Sequence, residues 1–238
     1  MGENILLYLP AIPAILISLS FHELAHAYVS YKQGDPTAKN MGRLSLNPLK
    51  HLDPLGTLML IISMFSGFGF GWAKPVPINP AYYRNMKKGT ILVSLAGPLS
   101  NLLLAFIFSI HMAAIAMAAG AGLTLGEIFN SSYSIYFYGF STQAVMYNLS
   151  RFFYMINIGL AVFNIIPIPP LDGSKILAAV LPDRQYYKLM QYEQYIGIIF
   201  LLIMVLKPGI LSTIMWPLRR GIESIFTLLA DPLLKLLV

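Results

Sequence analysis

His22 and His26 stand four residues apart, with Glu23 beside the first, in the stretch SFHELAHAYVSY. On a helix, positions i and i+4 share one face, so both imidazoles can turn ring nitrogens toward one metal ion. Glu23 then lies beside that ion rather than on it, the position of a general base holding a metal-bound water. Zinc suits such a site, because it takes nitrogen and oxygen ligands tetrahedrally and keeps a fourth position open for water. The setting sharpens the reading. Residues 5–21 carry no charge, so the motif sits at the end of an apolar segment. Ionisable groups at membrane depth are costly and mark function more often than packing.

A catalytic zinc needs a third protein ligand. His51, in the polar stretch NPLKHLDPLG, reads as a surface or turn histidine. His111, in FIFSIHMAAI, lies far into a run free of charge from Gly89 to Glu127. That depth differs from the depth of HELAH and points to a packed, hydrogen-bonded side chain. Asp172, in NIIPIPPLDGSKIL, directly follows an apolar run and arrives at the same depth as His26. Pro167, Pro169 and Pro170 end regular helix there, and Gly173 lets the chain turn beside the acid. From these residues alone two readings of Asp172 stay open: a third ligand, or the N-cap of the short helix SKILAAVL.

The elements that must position these groups belong to a membrane protein. Of the 238 residues, 57% are hydrophobic and 11% charged, against about 25% charged in soluble domains; the mean hydropathy is +0.67. The net charge of +6 falls between apolar runs and forms no basic stripe, which argues against a nucleic-acid partner. There is no cysteine, so disulfides, thiolate ligands and thiol nucleophiles are excluded. The N-terminus lacks a basic n-region and a small-residue cleavage site, so the first apolar run is expected to persist as a span. Leu6 breaks the myristoylation pattern that follows Gly2.

The expected architecture is an all-α polytopic membrane protein in one domain, residues 1–238. It has about five to six membrane-embedded helices around a three-helix catalytic core, with core spans at about 5–31, 89–119 and 143–171. Residues 54–73 are apolar and glycine-rich with basic residues on both sides, which fits a re-entrant loop. Further apolar stretches at 195–206 and 209–238 add a fifth span and a sixth span or interfacial helix. The alternation in GRLSLNP and the extended WAKPVPINP predict a small membrane-associated β-sheet within 32–88. Lys and Arg concentrate in 32–53, 74–88 and 173–194 and are absent from 120–142. The positive-inside rule then puts the three basic segments, and the HELAH end of the first span, on the cytoplasmic side.

HELAH together with NIIPIPPLDG resembles the site-2 proteases, zinc-dependent intramembrane metalloproteases of peptidase family M50. AGPLSN (Ala96–Asn101) is similar to that family's motif on the intervening span, and GDPTAKNMGRLSLNPLKHLDPLGT and FGWAKPVPIN resemble its compact prokaryotic branch. The resemblance implies one Zn2+ per chain held by His22, His26 and Asp172, with Glu23 activating water. It places Asn164 at the family's asparagine ahead of LDG, where two readings stay open: a catalytic donor to substrate or oxyanion, or a helix–helix hydrogen bond in the membrane. It implies a transmembrane protein or peptide substrate, a lipid bilayer around the enzyme, a role in regulated intramembrane proteolysis, and a multi-pass location in a prokaryotic plasma membrane. No segment has the length of a PDZ domain or CBS pair, so the chain reads as a bare catalytic core. Gly97 and Ser100 read as small residues at a close helix contact. Arg219 and Arg220 read as cytoplasmic anchors. A membrane zinc transporter or a non-proteolytic zinc-binding scaffold would use some of the same residues. The transporter needs a second stacked polar cluster, for which the sequence offers only His111.

Overall fold

The computed structural model describes residues 10–59, 72–120, 124–130 and 141–235. They are mostly helical: α1 (Ala11–Lys32), α2 (Thr37–Asn40), α3 (Met86–Ala118), α4 (Leu125–Asn130), α5 (Thr142–Ile165), α6 (Asp172–Val180), α7 (Asp183–Leu206) and α8 (Pro208–Leu234). Residues 54–59 are helical as well. Among the described residues, α1 and α3 are the two helices long and apolar enough to cross a membrane. The α3 helix matches the span expected at 89–119. The span expected at 5–31 becomes α1, with residues 1–9 outside the described ones. The span expected at 143–171 stops at Ile165, because the prolines from Pro167 onward withhold N–H groups and bar helical backbone before them. The loop expected to be re-entrant falls largely on residues 60–71, which lie outside the described residues.

Local chemistry sets the helix ends that matter. At the end of α1 the Gly34 N–H closes on the Tyr31 carbonyl, with Gly34 at φ +105°, where a side chain would be strained. Pro36 then prevents a restart in register. In α3, Pro98 lacks the N–H that would close on the Ser94 carbonyl.

The chain divides into two compact units. The first comprises the described residues of 1–18, 101–162 and 212–238. Its core includes Ala105, Met112, Leu125, Tyr147, Ile158 and Phe226. A polar clamp sits inside that apolar unit. Asn101 Nδ2 donates to Asn157 Oδ1 at 2.7 Å, and Asn157 Nδ2 donates to Ser18 Oγ at 2.7 Å. All three residues are buried, and they tie α1, α3 and α5 together in register. In the same unit Ser150 Oγ donates to the Met146 carbonyl, so it accepts from His111 Nδ1 at 2.7 Å. Glu223 accepts from the Tyr154 hydroxyl at 2.5 Å and from Arg219 Nε at 2.8 Å, which makes Arg219 an intramolecular partner rather than only a surface anchor.

The second unit comprises the described residues of 19–100 and 163–211. The sheet expected within 32–88 is not formed among its described residues: Gly42–Asn47 and Val76–Asn79 contain no strand, and an isolated antiparallel bridge pairs Leu52 with Ala73. The reason is that side chains occupy the backbone groups a ladder would use. Arg43 Nη2 donates to the carbonyls of Lys74 and Pro75 at 2.6 and 3.3 Å. Val76 N–H goes to Glu23, and Asn79 N–H goes to Asp35. Pro75 and Pro77 offer no donor at all. His51, expected at the surface, is 1% exposed, and its Nε2 donates to the Ser45 carbonyl at 2.7 Å.

Two outcomes follow. Asn157→Leu strands the Asn101 amide and the Ser18 hydroxyl in an apolar core, so it should lower stability by about 1–3 kcal/mol, read as a lower Tm in detergent. Asp35 is buried, which pushes its carboxyl up, but hydrogen bonds from Thr37, Asn79 and Ser30 outweigh this and hold it below the ordinary carboxylate range. A group held low in the folded state stabilises the fold above its unfolded pKa and loses that contribution as pH falls through its folded pKa. The stability gap between wild type and Asp35→Asn should therefore narrow as pH drops below ~3.9, measured by thermal unfolding across an acid series.

Candidate metal centre

His22 and His26 occupy successive turns of α1, and Asp172 opens α6; all three are buried. Their facing atoms form a triangle. His26 Nε2 lies 3.1 Å from His22 Nε2 and 3.1 Å from Asp172 Oδ2, and His22 Nε2 lies 3.2 Å from the same Oδ2. The whole triangle lies within the second unit. Tetrahedral donors ~2.0–2.2 Å from one ion stand ~3.3–3.6 Å apart, so the triangle fits zinc within a few tenths of an ångström. Among the described residues this is the one cluster of three groups able to hold a metal ion.

The protonation chemistry points the same way. His26 Nδ1 lies 2.7 Å from the Val93 carbonyl, which can only accept. Nδ1 therefore carries the proton, and in the neutral ring Nε2 presents a lone pair. That lone pair faces a second imidazole nitrogen and a carboxylate oxygen. One proton can bridge only one side of such a triangle; one divalent cation satisfies all three. Burial pushes the Asp172 carboxyl up, but the neighbouring His22 and His26 outweigh this and hold it well below the ordinary carboxylate range, so it is present as the anion a metal requires. Lys175 Nζ approaches the other oxygen, Oδ1, at 3.6 Å.

Neighbouring backbone shapes the cradle. A Cβ at Gly97 would fall on His26 Nε2 and lie 2.7 Å from His22 Nε2, so glycine on α3 leaves room for the imidazoles. The Val93 carbonyl that orients His26 lies one turn earlier on α3, next to the Ser94 carbonyl that Pro98 leaves without its helical partner. A Cβ at Gly173 would collide with the Ile165 carbonyl oxygen and lie 2.5 Å from that of Ile166, so only glycine lets the chain fold back after α5 and deliver Asp172. The N-cap reading of Asp172 is not what forms: the N-cap is Leu171, and Asp172 is the first helical residue with its carboxylate turned to the histidines.

Glu23 is half-buried beside the triangle in sequence, and its Oε2 accepts the Val76 N–H at 2.8 Å. Asn164 is half-buried in the last turn of α5. His51 and His111 make their contacts elsewhere. Gly97, expected at a close helix contact, makes that approach against the two histidine rings of α1. The Val93 carbonyl and the Val76 contact had no side-chain signature in the sequence, being backbone groups.

Two imidazoles and a carboxylate converging in a helical membrane protein, with a glutamate next to the first histidine, define a metallohydrolase-type centre. Residues 10–206 match the model of Peptidase family M50, so the chain belongs to that family and is a zinc metalloprotease. It is 39% identical over 227 residues to YwhC of Bacillus subtilis (strain 168), covering 92% of each chain; that protein is named "Putative zinc metalloprotease". Two relatives of the same description are MJ0611 of Methanocaldococcus jannaschii, 31% identical over 73% of this chain and 72% of its own, and Rip2 of Mycolicibacterium smegmatis. The Rip2 match is 26% identical over 82% of this chain and 66% of Rip2. No solved structure matches the chain.

Gly97→Ala should weaken metal binding by at least ~10-fold while leaving helix content unchanged. Chelator competition and circular dichroism on the purified protein measure the two.

Proposed function

We propose that this chain hydrolyses peptide bonds in transmembrane or membrane-proximal segments of protein substrates, with one zinc held by His22, His26 and Asp172. The observation that carries the reading is the triangle of two imidazole nitrogens and a carboxylate oxygen at 3.1–3.2 Å, with the His26 ring oriented by the Val93 carbonyl. When bound, zinc supplies an acidified water and polarises the scissile carbonyl.

The chain's own residues do the rest. Glu23 takes the proton of the attacking water on its carboxylate and passes it to the leaving amine. Its Oε2 is engaged by Val76, so Oε1 is the oxygen that meets the water. Asn164, eight residues ahead of Asp172, donates a hydrogen bond to substrate or to the developing oxyanion. A helical substrate must unwind to present its scissile bond, because its backbone groups are internally bonded.

The enzyme is a multi-pass protein of a prokaryotic plasma membrane, and the site faces the cytoplasm. The distribution of Lys and Arg over 32–53, 74–88 and 173–194 supports that orientation.

Purified protein in detergent, given a transmembrane peptide, should cleave it. Glu23→Gln should abolish cleavage and keep one zinc per chain. Zinc flux into liposomes without cleavage by the wild type would overturn the proposal in favour of transport.

A further inference from the structure

We infer that the backbone N–H of Val76, anchored by Asp35, is a positioning device for Glu23; the inference rests on Glu23 as the base proposed above. The segment Lys74–Asn79, KPVPIN, lies as an extended strap fastened on both sides of Val76. On one side Arg43, itself 7% exposed, holds the Lys74 and Pro75 carbonyls, and Lys74 N–H donates to the His51 carbonyl at 2.8 Å. On the other, Asn79 N–H donates to Asp35 Oδ2 at 2.7 Å. Between these fasteners Pro75 and Pro77 have no N–H, so Val76 is the sole backbone donor of the three residues. That donor is spent on Glu23 Oε2 at 2.8 Å.

The geometry of the strap is stiff. Lys74 and Val76 both precede proline, which holds them extended. The Val76 side chain is buried with Ala27, one turn beyond Glu23 on α1, and with Leu44 and Ile78. Asp35 is fully buried, and both its oxygens are saturated. Oδ1 accepts from Thr37 N–H at 2.9 Å and Thr37 Oγ1 at 2.5 Å, and Oδ2 from Ser30 Oγ at 2.8 Å as well as from Asn79. Ser30 Oγ also meets the Tyr83 hydroxyl at 2.8 Å, which ties down the residues beyond the strap. The strap therefore cannot drift along α1, and its single donor sets the rotation of the Glu23 carboxylate.

Val76→Pro deletes the one hydrogen of this contact and keeps an extended, apolar residue. Leu44→Ala thins the same apolar contact and keeps every N–H. With the transmembrane peptide as substrate, Val76→Pro should lower kcat ~10–100-fold, with KM and zinc content near wild type. Leu44→Ala should keep kcat within ~3-fold. If Val76→Pro fails to fold, Asp35→Asn reads the device from its anchor, again as a fall in kcat at unchanged zinc content. An unchanged kcat in whichever variant folds overturns the inference. So does loss of zinc together with activity, which would make the strap a builder of the centre rather than a positioner of the base. Wild type that cleaves beside an equally active Val76→Pro sinks this inference alone. Wild type that binds zinc and cleaves nothing sinks the proposed function first.

Discussion

Two imidazole nitrogens and one carboxylate oxygen held 3.1–3.2 Å apart in a buried site are the constraint on which the rest of the second unit depends. In water each lone pair would be solvated separately. Inside the protein they are cut off from water and must be satisfied together, by shared protons or by a shared cation. The fold keeps them together through rigid helices: α1 carries both imidazoles one turn apart, the Val93 carbonyl locks one tautomer, and a tight glycine turn returns Asp172 after α5. Binding of the cation and closure of these elements are thus one equilibrium, as expected where ligands must be deprotonated and preassembled.

That closure has to be achieved in an apolar setting, where the hydrophobic effect gives little guidance to helix pairing. Small and polar residues supply it. Gly97 allows the α3 backbone to lie against the histidine rings. Ser18, Asn101 and Asn157 link α1, α3 and α5 by side-chain amides, which are directional and so fix rotation and register where packed methyl groups would tolerate sliding.

The pairing of His22 with His26 was legible in the sequence for a physical reason: the i, i+4 spacing puts both on one face whatever surrounds them. Asp172 was legible only in part. Its depth allowed ligand or cap, and the distinction rested on the Gly173 turn, which is a matter of three-dimensional proximity. The long apolar helices α1 and α3 followed from apolar length, whereas α5 ends earlier than hydropathy suggests because prolines, rather than charge, terminate it. The sheet was misread because extended backbone and alternation are necessary for a strand and not sufficient. In KPVPIN the prolines remove two donors, and the Val76 and Asn79 N–H groups go to carboxylates. Asn157 carried a usable signal, an amide inside an apolar run, whereas Val93 and Val76 act through backbone atoms and carried none.

The buried carboxylates of this chain illustrate how a structural acid differs from a functional one. Asp35 accepts from four donors and faces no acceptor; its burial is fully compensated, and it needs nothing further. Glu223 is engaged by a tyrosine hydroxyl and an arginine, and is likewise complete. Asp172 is also buried, yet its Oδ2 faces two imidazole nitrogens, one of them on a ring whose far nitrogen meets the Val93 carbonyl. Glu23 is intermediate: it is half-buried, and one of its oxygens is held by a backbone donor. Burial is similar in the first three, so burial does not identify the site. What sets Asp172 apart is that one of its oxygens shares a close triangle with two imidazole nitrogens, an arrangement that one cation would satisfy at a stroke.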